Sequence, residues 1–243
     1  MNNKSQSPFH GIACFMAGFD LIRQRGLRRF IAIPLMINTV LFSVAGWVLW
    51  HYLTTTVETM LPSWLAWLSW LILPVFMVSV LTVVYYGFTL LANIIAAPFY
   101  GQLAKCVEAH LRGEPLKDVN KGSLLKEAPQ LLGSEIRKLL YYLVRAVPLL
   151  LLSLIPGVNV ISLPLWLIFN AWFLTFEYTG YTFENHHVLF NEQKQILQKS
   201  RVSSMAFGGM NLFAMSIPIF NFFAPAMAVA GATKMLFEQG ELD

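Results

Sequence analysis

Charge is scarce in this sequence. Asp, Glu, Lys and Arg make up 12% of its 243 residues, hydrophobic residues make up 56%, and the mean hydropathy is +0.58. An ordinary soluble domain carries about twice that share of charge, so the composition points to an integral membrane protein. Basic residues are missing from one long stretch: all 17 Lys and Arg fall before residue 30 or after residue 104. Cys14 and Cys106 are too few and too far apart for a disulfide framework or a metal-ligand spacing, and they read as ordinary thiols. Walker A, GxSxG, HExxH and Gly-rich dinucleotide patterns are all absent, so no catalytic residue, cofactor or nucleotide-driven step is assigned and the chain is read as a non-enzyme. The net charge of +4 lacks the clustered basic face with stacking aromatics that nucleic acid needs, and is read instead as topogenic. Within the first thirty residues no compact apolar core precedes a small-residue cleavage site, so no cleaved signal peptide is expected.

What is present is apolar sequence in long runs. A span needs about 20 apolar residues to cross roughly 30 Å of hydrocarbon, and residues 30–53 meet that length without a Lys, Arg, Asp or Glu. The next run, 59–104, is too long for one span and is divided by Pro62, Pro74 and Pro98. The Trp-rich "PSWLAWLSWLIL" (62–73) is assigned to the membrane interface, and 74–97 to the second span. Ahead of both, residues 9–25 space Phe9, Ile12, Phe15 or Met16, Phe19 and Ile22 as an amphipathic helix, read as lying in the interface.

Two later runs, 146–176 and 202–233, are broken alike. "IPGVNVISLP" and "IPIFNFFAP" both carry Ile-Pro, an Asn three residues after the Pro, and a later Pro. Arms of about 10 to 17 residues reach about 15 to 25 Å as helix, which points to re-entrant hairpins; one kinked span per run is the competing arrangement. Charge decides between them. With hairpins, the N-terminus, the helical segment 105–145, residues 177–201 and the C-terminus share one face, so every fixed positive charge is cytoplasmic. The fold class is thus an all-α integral membrane protein, a single membrane domain over 1–243. It has two long transmembrane helices, two partially inserted helical hairpins and an N-terminal interfacial helix.

Candidate functional residues fall in two groups. In "RQRGLRRFIAIP" (23–34), Gly26 precedes the first membrane helix, whose leading amides lack internal partners and sit at the positive end of the dipole. Arg28 and Arg29 add guanidinium forks suited to a tetrahedral oxyanion; the alternative role for these cations is to set topology and touch lipid phosphate. The second group is polar: Asn38, Asn93, Asn159, Asn170, Asn211 and Asn221 lie inside apolar runs, where an unpaired amide is costly. Each pairs with another helix or lines a polar path. Glu108 and Arg112, at i,i+4 spacing, form either a surface ion pair or a charged gate. The adjacent His186 and His187 point to different faces, so no metal is assigned.

"GLRRFIAIPLMIN", "ANIIAAPFYG", "FENH", "FG" at Phe207 and "IPIFNFFAPAMAVAGAT", in this order and spacing, resemble the CysZ family of bacterial sulfate transporters over nearly the whole chain. The resemblance implies an inner-membrane homo-oligomer that admits sulfate for cysteine biosynthesis, channel-like and without its own ATPase. It implies sulfate binding at Gly26, Leu27, Arg28 and the neighbouring Arg29. Asn38, Asn93, Glu108, Asn159 and Asn221 are then candidates for the pathway, although 105–145 matches weakly. Both termini are expected on the cytoplasmic side. A different class of function, a non-transporting scaffold or membrane-shaping protein binding lipid phosphate, is the alternative that sulfate flux separates.

Overall fold

The computed structural model of the protein describes residues 6–24, 26–30, 69–114 and 124–242, together with isolated positions between 32 and 51. The described residues are helical or in turns, with no strand among them. The helices are α1 (Pro8–Ile22), α2 (Ser69–Arg112), α3 (Leu124–Ser153), α4 (Asn159–Asn185), α5 (Phe190–Lys199), α6 (Arg201–Ser216), the single turn α7 (Pro218–Asn221) and α8 (Ala224–Glu238). Two compact units divide the chain, Ala32–Phe99 on one hand and Met1–Ile31 with Tyr100–Asp243 on the other.

In the Ala32–Phe99 unit, every described residue up to His51 is helical, and α2 supplies the rest. The proposed interfacial helix at 62–73 is only partly within view. Residues 62–68 lie outside the described set, whereas Ser69–Leu73 form the first turns of α2. Proline does not end this helix: Pro74 and Pro98 both lie inside it. Each removes one N–H from the ladder, a loss that kinks a helix without always breaking it. Among the described side chains, Val40, Trp47, Val75 and Val78 are apolar and exposed, whereas Ala96 is buried. The exposed hydroxyls of Ser79 and Thr82 donate back to the carbonyls of Val75 and Val78 at 2.8 and 2.7 Å. A polar group on a lipid-facing helix is satisfied internally in this way.

The other unit holds the core. α1 packs against α6 and α8 through small residues. A Cβ built on Gly11 would overlap the Ser203 carbonyl oxygen, and one on Gly18 would overlap that of Met227. This changes the expectation for the N-terminal helix. Of the predicted apolar stripe Phe15 and Ile22 are buried but Phe9, Ile12 and Met16 are exposed, and Gly11, Cys14, Gly18 and Leu21 fill out the buried face. Close backbone approach through small residues, common where lipid removes the usual hydrophobic drive between helices, outweighs apolar periodicity here. The contacts also fix direction: His10 meets Glu238 and Gly18 meets Met227, so α1 runs antiparallel to α8.

α3 and α4 form the first hairpin around Pro156 and Gly157, and α6 to α8 the second around α7. Between the hairpins, Gly208 on α6 lies against the Ala171 carbonyl of α4. Buried hydroxyls tie the same seam: Thr175 Oγ1 donates to the Ser204 carbonyl at 2.6 Å, and Thr182 and Thr233 share a hydrogen bond of 2.8 Å. Arm length was the sequence argument for re-entry, and it does not hold for α4. Pro164 leaves this 27-residue helix continuous, long and apolar enough to cross a membrane by itself. A second marker of depth is built into the hairpin. Trp172 Nε1 donates to Tyr141 Oη at 3.0 Å, and three cations surround this pair: Arg145 and Lys194 lie 3.6 and 5.3 Å from the Tyr141 ring centre, and Arg201 5.8 Å from that of Trp172. From that belt to the turn, Leu150, Leu151, Leu154, Val160, Leu163 and Leu167 are all exposed.

Candidate functional site

α1 hands the chain to the arginine turn. Gly26 has φ +97°, a left-handed value that costs glycine nothing and other residues energy. Leu27 and Phe30 are buried and anchor the turn on either side. Their amides are used within it: Leu27 N–H donates to the Gln24 carbonyl at 3.2 Å, and Phe30 N–H to that of Leu27 at 3.1 Å. The amides of Gly26 and Arg28 take no acceptor among the described residues.

The cations around this turn are not equivalent. Arg28 Nε donates to the Arg23 carbonyl at 2.6 Å and so closes the turn with half of its fork. Arg29 lies over the Phe30 ring at 4.9 Å, and Arg23 over that of Phe19 at 5.2 Å. All three guanidinium groups are exposed, so an anion here meets Arg donors beside backbone N–H groups. Arg25 lies outside the described residues. Because α1 is antiparallel to α8, the turn lies at the Ala224 end of α8, where the second hairpin reverses, and not at the Glu238 end.

The described candidate pathway residues lie on three different elements, Glu108 on α2, Asn159 on α4 and Asn221 on α7. Asn38 lies outside the described residues, as does the side chain of Asn93, whose backbone is part of α2. Asn159 is exposed at the start of α4, its N–H donating to the Ile155 carbonyl across the first hairpin turn at 3.1 Å. Asn221 is exposed at the second. Asn211 was grouped with them by sequence but not singled out. It is fully buried, and neither side-chain polar atom finds a hydrogen-bond partner.

Glu108 joins three parts of the chain. One oxygen is 3.0 Å from Arg112 Nη2 and the other 2.7 Å from His186 Nε2, while Arg112 Nη2 also donates to the Leu242 carbonyl. The Glu108 side chain is only 13% exposed, so this is a half-buried network and more than an i,i+4 surface pair. Sequence gave Arg112, through helical spacing. His186, weighed in sequence only as half of the His186–His187 pair, reaches Glu108 from the end of α4 through the fold. Just beyond Arg112, Gly113 at φ +72° stops α2, with Glu114 N–H donating to the Ala109 carbonyl at 2.8 Å.

Residues 14–225 match the model of a family described as "Sulfate transporter CysZ/Etoposide-induced protein 2.4". A protein of Pectobacterium atrosepticum named sulfate transporter CysZ is 40% identical over 238 residues, which cover 96% of this chain and 86% of that protein.

Proposed function

The chain belongs to the sulfate transporter CysZ/etoposide-induced protein 2.4 family, and from that membership we propose that it takes up sulfate across the bacterial inner membrane to supply cysteine synthesis. Transport is channel-like, with sulfate drawn inward by its consumption, and the working unit is a homo-oligomer. Sulfate binds at the Gly26–Arg29 turn. The observation that carries this assignment is the pairing of two exposed guanidinium groups, Arg28 and Arg29, with the Gly26 turn. Sulfate is strongly hydrated, so a site has to replace water with donors without holding the ion too tightly to release it. A half-solvated cluster of Arg forks and amides meets both demands.

The membrane arrangement consists of two full spans, near 30–53 and 74–97, and two hairpins that enter and return. Support for re-entry comes from the belt of Tyr141, Trp172 and three cations. Aromatic and basic side chains favour the headgroup level. Trp172 follows Asn159, the first residue of α4, by 13 positions, about 20 Å of helix against roughly 30 Å of hydrocarbon. The rest of α4 then lies on the same side as the belt, and both termini are cytoplasmic.

Radiolabelled sulfate uptake into proteoliposomes, beside sulfate binding to the purified protein, tests this reading. Wild-type protein is expected to carry sulfate above empty vesicles. Arg29→Ala is expected to weaken binding roughly tenfold to a hundredfold, the size of one lost charge-assisted hydrogen bond at about 1.5 to 3 kcal/mol. Its membrane orientation should not change. Flux no greater than in empty liposomes would favour the scaffold alternative, and unchanged affinity in Arg29→Ala would reduce the turn to a topogenic tether.

A further inference from the structure

A second polar cluster lies at the opposite end of α1 from the arginine turn. His10 and Cys14, one helical turn apart on α1, meet Glu238, the last residue of α8. His10 Nε2 and Glu238 Oε2 are 3.0 Å apart, Cys14 Sγ and Glu238 Oε2 3.5 Å, and Cys14 Sγ and His10 Nε2 3.6 Å. The three atoms form a closed triangle with one nitrogen, one sulfur and one oxygen corner. We propose that this triangle is a binding site for a zinc-class divalent cation, ligated by His10 Nε2, Cys14 Sγ and Glu238 Oε2.

Size and orientation both fit. In a tetrahedral zinc centre with Zn–N and Zn–O near 2.0 to 2.1 Å and Zn–S near 2.3 Å, neighbouring ligand atoms stand about 3.3 to 3.6 Å apart. The two edges involving sulfur match, and the N···O edge needs to open by only about 0.3 Å. The other polar atom of each oxygen and nitrogen ligand is already held. His10 Nδ1 lies 3.2 Å from Ser203 Oγ, a hydroxyl able to accept from Nδ1–H and so to permit the tautomer that leaves the Nε2 lone pair for a metal. Glu238 Oε1 lies 2.8 Å from Lys234 Nζ, which turns Oε2 inward. Orienting partners of this kind are what a metal-ligand shell requires. Sulfur, imidazole and a single carboxylate oxygen suit zinc and its cobalt substitute and disfavour magnesium or calcium, which prefer all-oxygen shells. Thiolate and carboxylate together neutralise the dication. The Glu238 side chain is 39% exposed, so water reaches the cluster from the carboxylate side.

Without metal, the Cys14 thiol donates to Glu238 Oε2; with a metal bound, all three side chains turn to the ion.

Cobalt titration of the purified full-length protein in detergent decides between these states. Binding at the triangle gives a near-ultraviolet thiolate-to-cobalt charge-transfer band and the strong visible bands of a tetrahedral centre, saturating at one cobalt per chain and displaced by zinc. Cys14→Ser abolishes the charge-transfer band, whereas Cys106→Ser keeps it. Ser203→Ala, which alters only an orienting partner, weakens cobalt binding by about tenfold or more. Wild-type protein that shows no charge-transfer band overturns the site whatever the variants do. So does a band that survives in Cys14→Ser.

Discussion

At Gly208 the space between two helices is smaller than a methyl group. An added Cβ would overlap the Ala171 carbonyl and come within 2.5 Å of Thr175 Oγ1, the hydroxyl that bridges α4 to α6. Backbone cannot yield as a flexible side chain does, so Gly208→Ala should cost at least the 1 to 3 kcal/mol or so typical of overpacking. Thermal unfolding in detergent measures this as a clear fall in Tm. The neighbouring Gly209→Ala is the control: its new Cβ would meet only the Ala171 methyl at 4.0 Å, and its Tm should barely move. The arginine turn depends on similarly small differences. Arg28→Lys removes both the planar fork and the bond from Nε that closes the turn. A loss of affinity in that variant mixes two causes, whereas Arg29 touches the turn through the Phe30 ring at 4.9 Å, so Arg29→Ala leaves the Arg28–Arg23 closure in place.

The hairpins are the elements on which the membrane arrangement depends. If the Tyr141–Trp172 belt marks the cytoplasmic headgroups, the link between α5 and α6 must lie on that side as well. Cysteines placed at the exposed Lys199, beside the α5–α6 link, and in the N-terminal tail, in a protein lacking Cys14 and Cys106, should react with an impermeant thiol reagent from the same face of sealed vesicles. Reaction from opposite faces would make the first hairpin a crossing pair instead. The two Ile-Pro-x-x-Asn turns and the arginine–glycine turn were legible in the sequence because local chemistry favours a helix end at proline and glycine, although Pro74, Pro98 and Pro164 stay inside helices. The inner face of α1 was not. Apolar periodicity gives Gly11, Cys14 and Gly18 no weight, and only the backbone of α6 and α8, more than 180 residues away, makes their smallness useful. For the same reason His186 gave no hint of Glu108. The length of α4 misled in the other direction, since Pro164 looks like a boundary in sequence yet sits inside one continuous helix.

For the whole molecule, the decisive contact is between its two ends. The first helix, Pro8–Ile22, and the last, Ala224–Glu238, share a buried seam that no nearer segment can replace. Removal of α8 should therefore expose the Gly11–Cys14–Gly18 face. A chain truncated after Asn221 is expected to insert its two spans yet become protease-sensitive near residue 10, as N-terminal sequencing of the fragments would reveal. Normal stability of α1 in that fragment would contradict the assignment.

This closure also sets a clock. At about 5 to 20 residues per second, translation needs about 10 to 40 seconds to proceed from α1 to α8. Until α6 is made α1 has neither of the two helices it packs against, and until α8 is made it has only one. The nascent chain must keep a glycine-faced helix from docking onto the wrong neighbour, in this chain or another, until the last fifteen-residue helix arrives. Co-translational chaperones and the insertion machinery would meet the first helix long before its partner exists, and a codon change that slows synthesis of the last third would lengthen that exposure without altering a single residue.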